Sequence, residues 1–290
     1  EEAVIIDEIQ SFEHQPEEAI ADEFEHLLFE GHRLGENILG TPESVEKFDR
    51  SDIADFIGKT YNTSEIVFAV TGNYSSVRLF RMAEKYFGII KENHSKKLRL
   101  APSVISAKSV SVAKPINQTH CMLGTRAYSF HDPKKYALLL LNSYLGGNGM
   151  SSVLNPEIRE KYGIAYTVES SYTAFSDTGI FSVYYGTDAE KARRAEKLVL
   201  KEFKKVRENK LGRIKFHQAK QKFTGQIALG EENRMGVLIS MAKSLLDFNK
   251  IDSLEEVFSQ INKISPEEFL EVANEILDPK QLNFLNYLPE

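Results

Sequence analysis

The sequence has 290 residues, of which 42% are hydrophobic and 27% charged, as is typical of a folded globular protein with roughly two domains. A net charge of -6 argues against a nucleic-acid-binding surface, and the most basic stretch, residues 201–215, is interpreted as a solvated helix end. The single cysteine excludes an internal disulfide framework and a cysteine-rich zinc site, and no apolar run approaches the roughly 20 residues of a membrane span.

The first 90 residues are predicted to be mainly helical. Proline or an N-cap residue at the start, acids in the first turn and glycine at the end are typical helix signals. Helices are predicted on this basis after Pro16 up to Gly31, after Thr41 as N-cap, after Ser51 as N-cap, and from Ser75 to Gly88. One strand is predicted at residues 65–73, EIVFAVTGN, which end in a Gly-Asn turn.

Residues 91–108 lose periodicity and gain Lys, Ser and Pro, so they are predicted to link two domains, residues 1–90 and 109–290. The second domain mixes strands and helices. Its predicted strands are 109–114, 118–127, 164–173, 178–187 and 281–288. Its predicted helices are 132–147, 151–163, 188–209, two within 214–247, and one that starts with a capping box, Ser265 to Glu268. This order indicates an α+β domain in which helices pack on one face of an antiparallel sheet. The first domain resembles the back half of such a domain, without its opening strands.

Glu1 and Glu8 lie seven residues apart in the opening stretch EEAVIIDEIQSFE. On a helix, seven residues are about two turns, so both carboxylates would lie on one face, about 10 Å apart along the axis. One interpretation is an acidic helix start on the surface, which the helix dipole favours. The other is a functional pair, because Glu8 shares with Val4, Ile5 and Phe12 a face that we expect to be buried. A buried carboxylate is costly unless it is paired or bound to a metal.

Arg159 and Tyr166 are also seven residues apart, at a predicted helix-to-strand transition. A guanidinium and a phenol are suitable donors to a peptide carbonyl or a developing oxyanion. The alternative is an arginine on an exposed helix face and a tyrosine on a sheet face, which these residues alone leave open.

Other chemical signals are weak. Cys121 has no context that would mark an activated thiolate and is interpreted as a small apolar strand residue. The glycines of GGNG, residues 146–149, lack the Lys-Ser/Thr of a phosphate-binding loop and fit a helix stop followed by a turn. None of the seven histidines has a second histidine four residues later, so a helical two-histidine zinc motif is absent from the sequence.

Several segments together resemble the pitrilysin/insulinase (M16) family of zinc peptidases, in the form shared with the subunits of mitochondrial processing peptidase. They are VIIDEIQSFEHQPEEAI, LFEGHRLGENILGTPESVEKFDRSDIADFI, YNTSEIVFAVTGN, LGGNGMSSVLNPEIREKYGIAYTVESSYTAFSDTGIFSVYYGTD and GQIALGEENRMG. They cover essentially the whole chain in the family's order. The resemblance implies two related α+β domains, the first truncated at its N-terminus.

The resemblance also implies roles for individual residues. Glu8 aligns with the third ligand of a zinc site whose two histidines and general-base glutamate come from an earlier H-x-x-E-H helix. Glu1 aligns with the glutamate that supports this ligand. Arg159 and Tyr166 align with the arginine–tyrosine pair that approaches the scissile peptide.

The resemblance further implies that a loop that includes Gly147, Gly149 and Met150 contacts substrate. Because the histidine pair is missing, we expect no tight zinc binding to this sequence alone, and we expect it to be a piece of a longer protein.

Three functions remain open. The first is the C-terminal part of a zinc endopeptidase that cleaves peptides or unfolded segments in a closed chamber, inactive without the rest of the protein. The second is a non-catalytic partner subunit that complements a zinc-bearing mate, which Glu1 and Glu8 argue against. The third is a purely structural assembly subunit. The expected partners are a peptide substrate and a second M16 subunit in a homodimer or heterodimer, and the compartment is left undetermined.

Overall fold

The computed structural model describes residues 2–13, 15–90, 92, 99–103, 106–147 and 152–290. The helices are α1 (Glu2–Glu13), α2 (Pro16–Leu28), α3 (Pro42–Val45), α4 (Arg50–Thr60), α5 (Ser76–Phe87), α6 (Lys135–Leu145), α7 (Ala192–Glu208), α8 (Arg213–Gly230), α9 (Arg234–Phe248), α10 (Leu254–Lys263) and α11 (Pro266–Ile276). The strands are β1 (Ser109–Lys114), β2 (Thr119–Ala127), β3 (Ala165–Ala174), β4 (Gly179–Thr187) and β5 (Asn283–Pro289). The fold is therefore α+β, as the sequence predicts.

The described strands form one sheet in the order β1-β5-β2-β4-β3. β5 pairs antiparallel with β2, and β4 pairs antiparallel with β2 and β3. β1, however, pairs with β5 in parallel, so the sheet is mixed at one edge rather than fully antiparallel. Two parallel strands need a long connection between them. Residues 115–282, which lie between β1 and β5, provide this connection.

Helix α2 covers one face of the sheet across β2 and β5. Ile20, Phe24 and Leu28 recur every four residues, lie on one side of α2 and are fully buried. They pack in a cluster with Met122 of β2 and Tyr287 of β5. Burying each large apolar side chain contributes about 1.5–3 kcal/mol, so this stripe fixes α2 to the sheet.

Helices α6, α7 and α11 form the layer on the other face. The alternation of β2 sends Cys121 and Leu123 to this side and Met122 to the α2 side. Leu138 of α6 and Phe269 of α11 are buried here. Helices therefore cover both faces of the sheet, whereas the sequence pattern predicts them on one face only.

The chain separates into two compact units. One comprises residues 1–45, 101–225 and 258–290, and includes the sheet; the other comprises 46–100 and 226–257. The predicted boundaries at 90 and 109 do not coincide with these units, because the apolar stripe of α2 packs on the sheet. Much of the predicted linker lies outside the described residues. The assignment of two related peptidase domains stays a prediction.

Residues 65–73 were predicted as a strand, and this is wrong in the structure. The backbone turns at Thr63–Glu65 and continues extended at Ile66, but no described strand pairs with it. An extended segment becomes a strand only when a neighbour supplies its hydrogen bonds. The side chains of Ile66 and Phe68 are accordingly exposed.

Two local predictions also need correction, and one helix has no counterpart among the predicted elements. The N-cap of α4 is Asp49, not Ser51, because the Asp49 carboxylate accepts hydrogen bonds from the amides of Ser51 and Asp52. The predicted helix 151–163 shortens to a π-helical turn, Asn155–Glu160. Helix α10 was missed. Of the capping box predicted between Ser265 and Glu268, the structure shows one bond, in which the Ser265 hydroxyl accepts a hydrogen bond from the amide of Glu268.

In the part of the chain that the structure describes, no helix combines the length and the apolar character that crossing a membrane requires.

Candidate functional site

Arg159 lies in the π-helical turn Asn155–Glu160, which begins next to Pro156. Leu154 and Ile158 are fully buried and anchor the turn, and Arg159 points to the exposed side. Within the described residues, the guanidinium of Arg159 makes no hydrogen bond or ion pair. Such turns recur at functional sites because they displace side chains from regular helical positions.

Tyr166 lies at the start of β3, where the strand contains an irregularity. Ala165 pairs with Thr187 and Thr167 pairs with Gly186, so Tyr166 occupies a β-bulge between them. A bulge re-aims one side chain out of the regular alternation, and 53% of Tyr166 is exposed. The π-helical turn packs against β3, which brings the segments of Arg159 and Tyr166 together.

The Tyr166 hydroxyl donates a hydrogen bond of 2.8 Å to Oδ1 of Asp188, and the Lys191 ammonium lies 2.7 Å from Oδ2 of the same carboxylate. The hydrogen bond to Asp188, and then the charge of Asp188, raise the pKa of Tyr166 above its usual value. Lys191, followed by the bond from Tyr166, lowers the pKa of Asp188. Tyr166 therefore retains its proton and acts as a donor.

Glu8 is exposed on α1, and the expectation of a buried face around it is wrong in this structure. Val4 is 58% exposed and Ile5 39%, and only Ile9 is buried on this helix among its described side chains. The principal packing partners of α1 are α2 and α3, whereas those of β3 are β4, the π-helical turn and α6. Glu1 lies outside the described residues.

The described residues do not fit a zinc ion by themselves. No group of three or more His, Cys, Asp or Glu side chains among them could hold a metal. One exposed carboxylate, Glu8, is too few ligands, since zinc sites in proteins take at least three protein donors.

Gly147 follows the end of α6 and is in close contact with that helix. Its amide donates to the carbonyl of Asn142 at 2.9 Å, and an added Cβ would lie 2.8 Å from Cα of Ser143. This geometry agrees with a helix stop followed by a turn. Gly149 and Met150 lie outside the described residues, so the predicted substrate role of this loop stays a prediction.

Sequence reasoning missed two cavities in the unit that contains the sheet. One, of about 880 Å³, is lined among others by Arg126, Tyr128 and Glu275. The other, of about 250 Å³, lies between the first turn of α2 and the exposed face of β3, with Glu17 and Glu169 in its wall. Arg159, Tyr166 and Glu8 line neither cavity. The alternation in ESSYT, which sends polar residues to one face of β3, was the available signal for the smaller one.

Asp188 is a further site residue, which the sequence pattern predicts only as the start of a helix. No local sequence signal marks its contact with Tyr166, because that contact depends on the pairing of β3 with β4.

Comparison with known proteins gives one family. The sequence profile described as the peptidase M16 inactive domain matches residues 47–223. An uncharacterized zinc protease of Streptomyces coelicolor is 30% identical over 286 residues, which cover 96% of this chain and 62% of that protein. An uncharacterized zinc protease of Bacillus subtilis is 25% identical over 276 residues, covering 95% of this chain and 67% of that protein. The chain thus spans about two thirds of the length of these relatives.

Among solved structures, the peptidase M16 inactive domain from Pseudomonas fluorescens superposes with a TM-score of 0.88 at 21% identity. The match covers 100% of this chain and 69% of that one. At this identity, the likeness supports the fold.

Proposed function

The chain belongs to the peptidase M16 family, and from this premise we propose that it is the C-terminal portion of a zinc metalloendopeptidase that cleaves peptides or unfolded segments in a closed chamber. In this proposal the chain supplies substrate contacts, and its own activity is nil without the rest of the protein. The observation that carries the proposal is the exposure of two donors, Arg159 and Tyr166, on adjoining segments.

The chemistry of these donors suits peptide hydrolysis. A guanidinium is permanently charged and a neutral phenol donates one hydrogen bond, so both stabilise negative charge that develops on a carbonyl oxygen. Fixed donors of this kind act mainly on the transition state, which raises turnover more than it tightens substrate binding. Gly147, Gly149 and Met150 are proposed to contact the peptide beside them.

Glu8 has a secondary place in this proposal. It would add one carboxylate to a zinc site whose histidines are not in these 290 residues, and Glu1 would orient it. The relatives named zinc proteases are longer than the matched region, which leaves room for such residues.

The test uses the complete protein and a set of internally quenched fluorogenic peptides. Tyr166→Phe removes the donor hydroxyl and is expected to lower kcat about 100-fold with little change in KM. Tyr162→Phe is the matched control, because Tyr162 lies four residues earlier, is 37% exposed and has no assigned role; its kcat is expected to stay at the wild-type value. An unchanged kcat in Tyr166→Phe would remove Tyr166 from the reaction.

A second candidate is a non-catalytic subunit that complements a zinc-bearing mate in a heterodimer with another M16 subunit. In that role the chain would present Arg159 and Tyr166, both exposed, to the zinc site of the mate. Chelator-sensitive hydrolysis by the complete protein, purified alone, would exclude this role and that of a structural assembly subunit. Hydrolysis that appears only after a second M16 subunit is added would support the partner role.

A further inference from the structure

Asp188 occupies a helix-capping position without capping. It stands between the end of β4 and the short turn Ala189–Lys191, with extended backbone angles, but its side chain accepts no hydrogen bond from the amides of that turn. Aspartate at such a position ordinarily accepts one. Here the two carboxylate oxygens accept from Tyr166 and Lys191 instead, so local backbone geometry does not explain where the carboxylate points.

The backbone around this contact is held from two sides. Ala165 pairs with Thr187, and the Thr187 hydroxyl donates to the carbonyl of Ile164. These contacts fix the start of β3 against the end of β4. The bulge residue Tyr166 and the first residue after β4, Asp188, therefore meet although 22 residues of chain separate them.

From this geometry we propose that Asp188 is a positioning residue, which holds the phenol of Tyr166 at the place where it meets the substrate. The inference rests on the proposed role of Tyr166 and extends it to a residue that makes no substrate contact itself. A tyrosine at the edge of a sheet, 53% exposed, would otherwise sample several rotamers. The bond to Asp188 selects one before substrate arrives, which lowers the entropic cost of reaching the reactive geometry.

The tyrosine hydroxyl carries one proton, so it donates either to Asp188 or to substrate. Rotation about the Cζ–Oη bond redirects that proton while the ring stays in place. Lys191 offsets part of the carboxylate charge, which limits the repulsion between the phenol oxygen and Asp188 after this rotation. The raised pKa of Tyr166 agrees with a phenol that keeps its proton in the resting state.

A double-mutant cycle in the complete protein tests the proposal. Asp188→Ala is expected to lower kcat between about 10- and about 100-fold, since loss of fixed orientation at a reacting group has effects of this order. In the Tyr166→Phe background, Asp188→Ala is expected to have no further effect, because it acts only through the lost hydroxyl. Asp188→Asn, which keeps an acceptor oxygen, is expected to restore most of the wild-type kcat. Glu190→Ala, a neighbouring carboxylate without a contact to Tyr166, is the matched control and is expected to behave as wild type.

The outcomes separate the two proposals. If Tyr166→Phe has full activity, the proposed function of Tyr166 fails and the inference fails with it. If Tyr166→Phe is slow but Asp188→Ala is fully active, only the inference is overturned. An effect of Asp188→Ala that adds to that of Tyr166→Phe, with no recovery in Asp188→Asn, would show a merely structural role and would also overturn it.

Discussion

The hydroxyl of Tyr184 lies 2.7 Å from Nδ1 of His120, and both side chains are buried where α2 covers the sheet. Burial lowers the pKa of His120 because it disfavours the charged imidazolium, and the negative charge of Glu17 opposes this effect. The stability of the α2 side of the core therefore depends on pH through this pair.

The first prediction concerns acid stability. The unfolded chain protonates His120 near its ordinary pKa of 6.5, whereas the folded protein resists protonation to a lower pH. Neutral, buried His120 therefore stabilises the folded state above pH 6.5, and this stabilisation is lost as the pH falls below 6.5. The free energy of unfolding in urea, measured at pH 7.5 and about 5.5, is expected to decrease toward acid more in the wild type than in His120→Gln. Equal decreases would contradict a neutral buried His120.

The second prediction tests the apolar stripe of α2. Ile20 is fully buried, and Ile20→Ala is expected to destabilise the protein by about 2–5 kcal/mol, because it removes buried methylene groups and leaves a cavity. Ile214 is also a helical isoleucine, but it is 75% exposed, so Ile214→Ala is expected to change stability by about 0.5 kcal/mol or less. Similar effects in the two variants, measured by thermal or urea unfolding, would show that α2 is not fixed to the sheet.

The third prediction compares two glycines. At Gly124 of β2, an added Cβ would overlap the carbonyl oxygen of Phe181 on the paired strand β4. Gly124→Ala is therefore expected to separate the strands and to lower soluble yield or the unfolding midpoint sharply. At Gly225, inside α8, an added Cβ would meet no other part of the protein within 4 Å, and Gly225→Ala is expected to stabilise the helix by about 0.5–1 kcal/mol. A tolerated Gly124→Ala would contradict the strand register.

The fourth prediction concerns the one cysteine. Cys121 is 2% exposed in β2, and burial raises the pKa of its thiol to about 11. At pH 8 the folded protein is expected to resist alkylation by iodoacetamide at this residue, and to react fully in urea, as mass spectrometry of the Cys121 peptide would show. Rapid labelling without denaturant would place the thiol at the surface.

Sequence reasoning located most elements whose signals are local. The Ser265 cap, the Pro16 start of α2 and the alternation of β3 depend on neighbouring residues, and the structure agrees with them. β4 is a strand as predicted, but it is buried along its whole length and does not alternate between buried and exposed residues. The strand predicted at residues 65–73 failed because pairing depends on a distant segment, which local propensity does not contain. The parallel pairing of β1 with β5 is not predicted for the same reason, because the two strands are far apart in sequence.

The residues of the candidate site divide in the same way, into those that the sequence indicates and one that only the folded sheet reveals. The resemblance supplied Arg159 and Tyr166, and the structure shows both exposed on adjoining segments. Asp188 could not be found from spacing, because only the bulge at Tyr166 and the register of β3 with β4 bring it into contact. A contact that depends on register over 22 residues is a property of the folded sheet.

The helical unit formed by residues 46–100 and 226–257 carries large apolar side chains in contact with solvent, among them Phe80 at 77% and Met235 at 60% exposure. Such surface is prone to self-association in water. For a preparation of these 290 residues, the light scattered per unit mass of protein is therefore expected to rise with protein concentration. Unfolding experiments on it therefore call for dilute samples, in which the measured transition reports on a dispersed chain rather than on a precipitate.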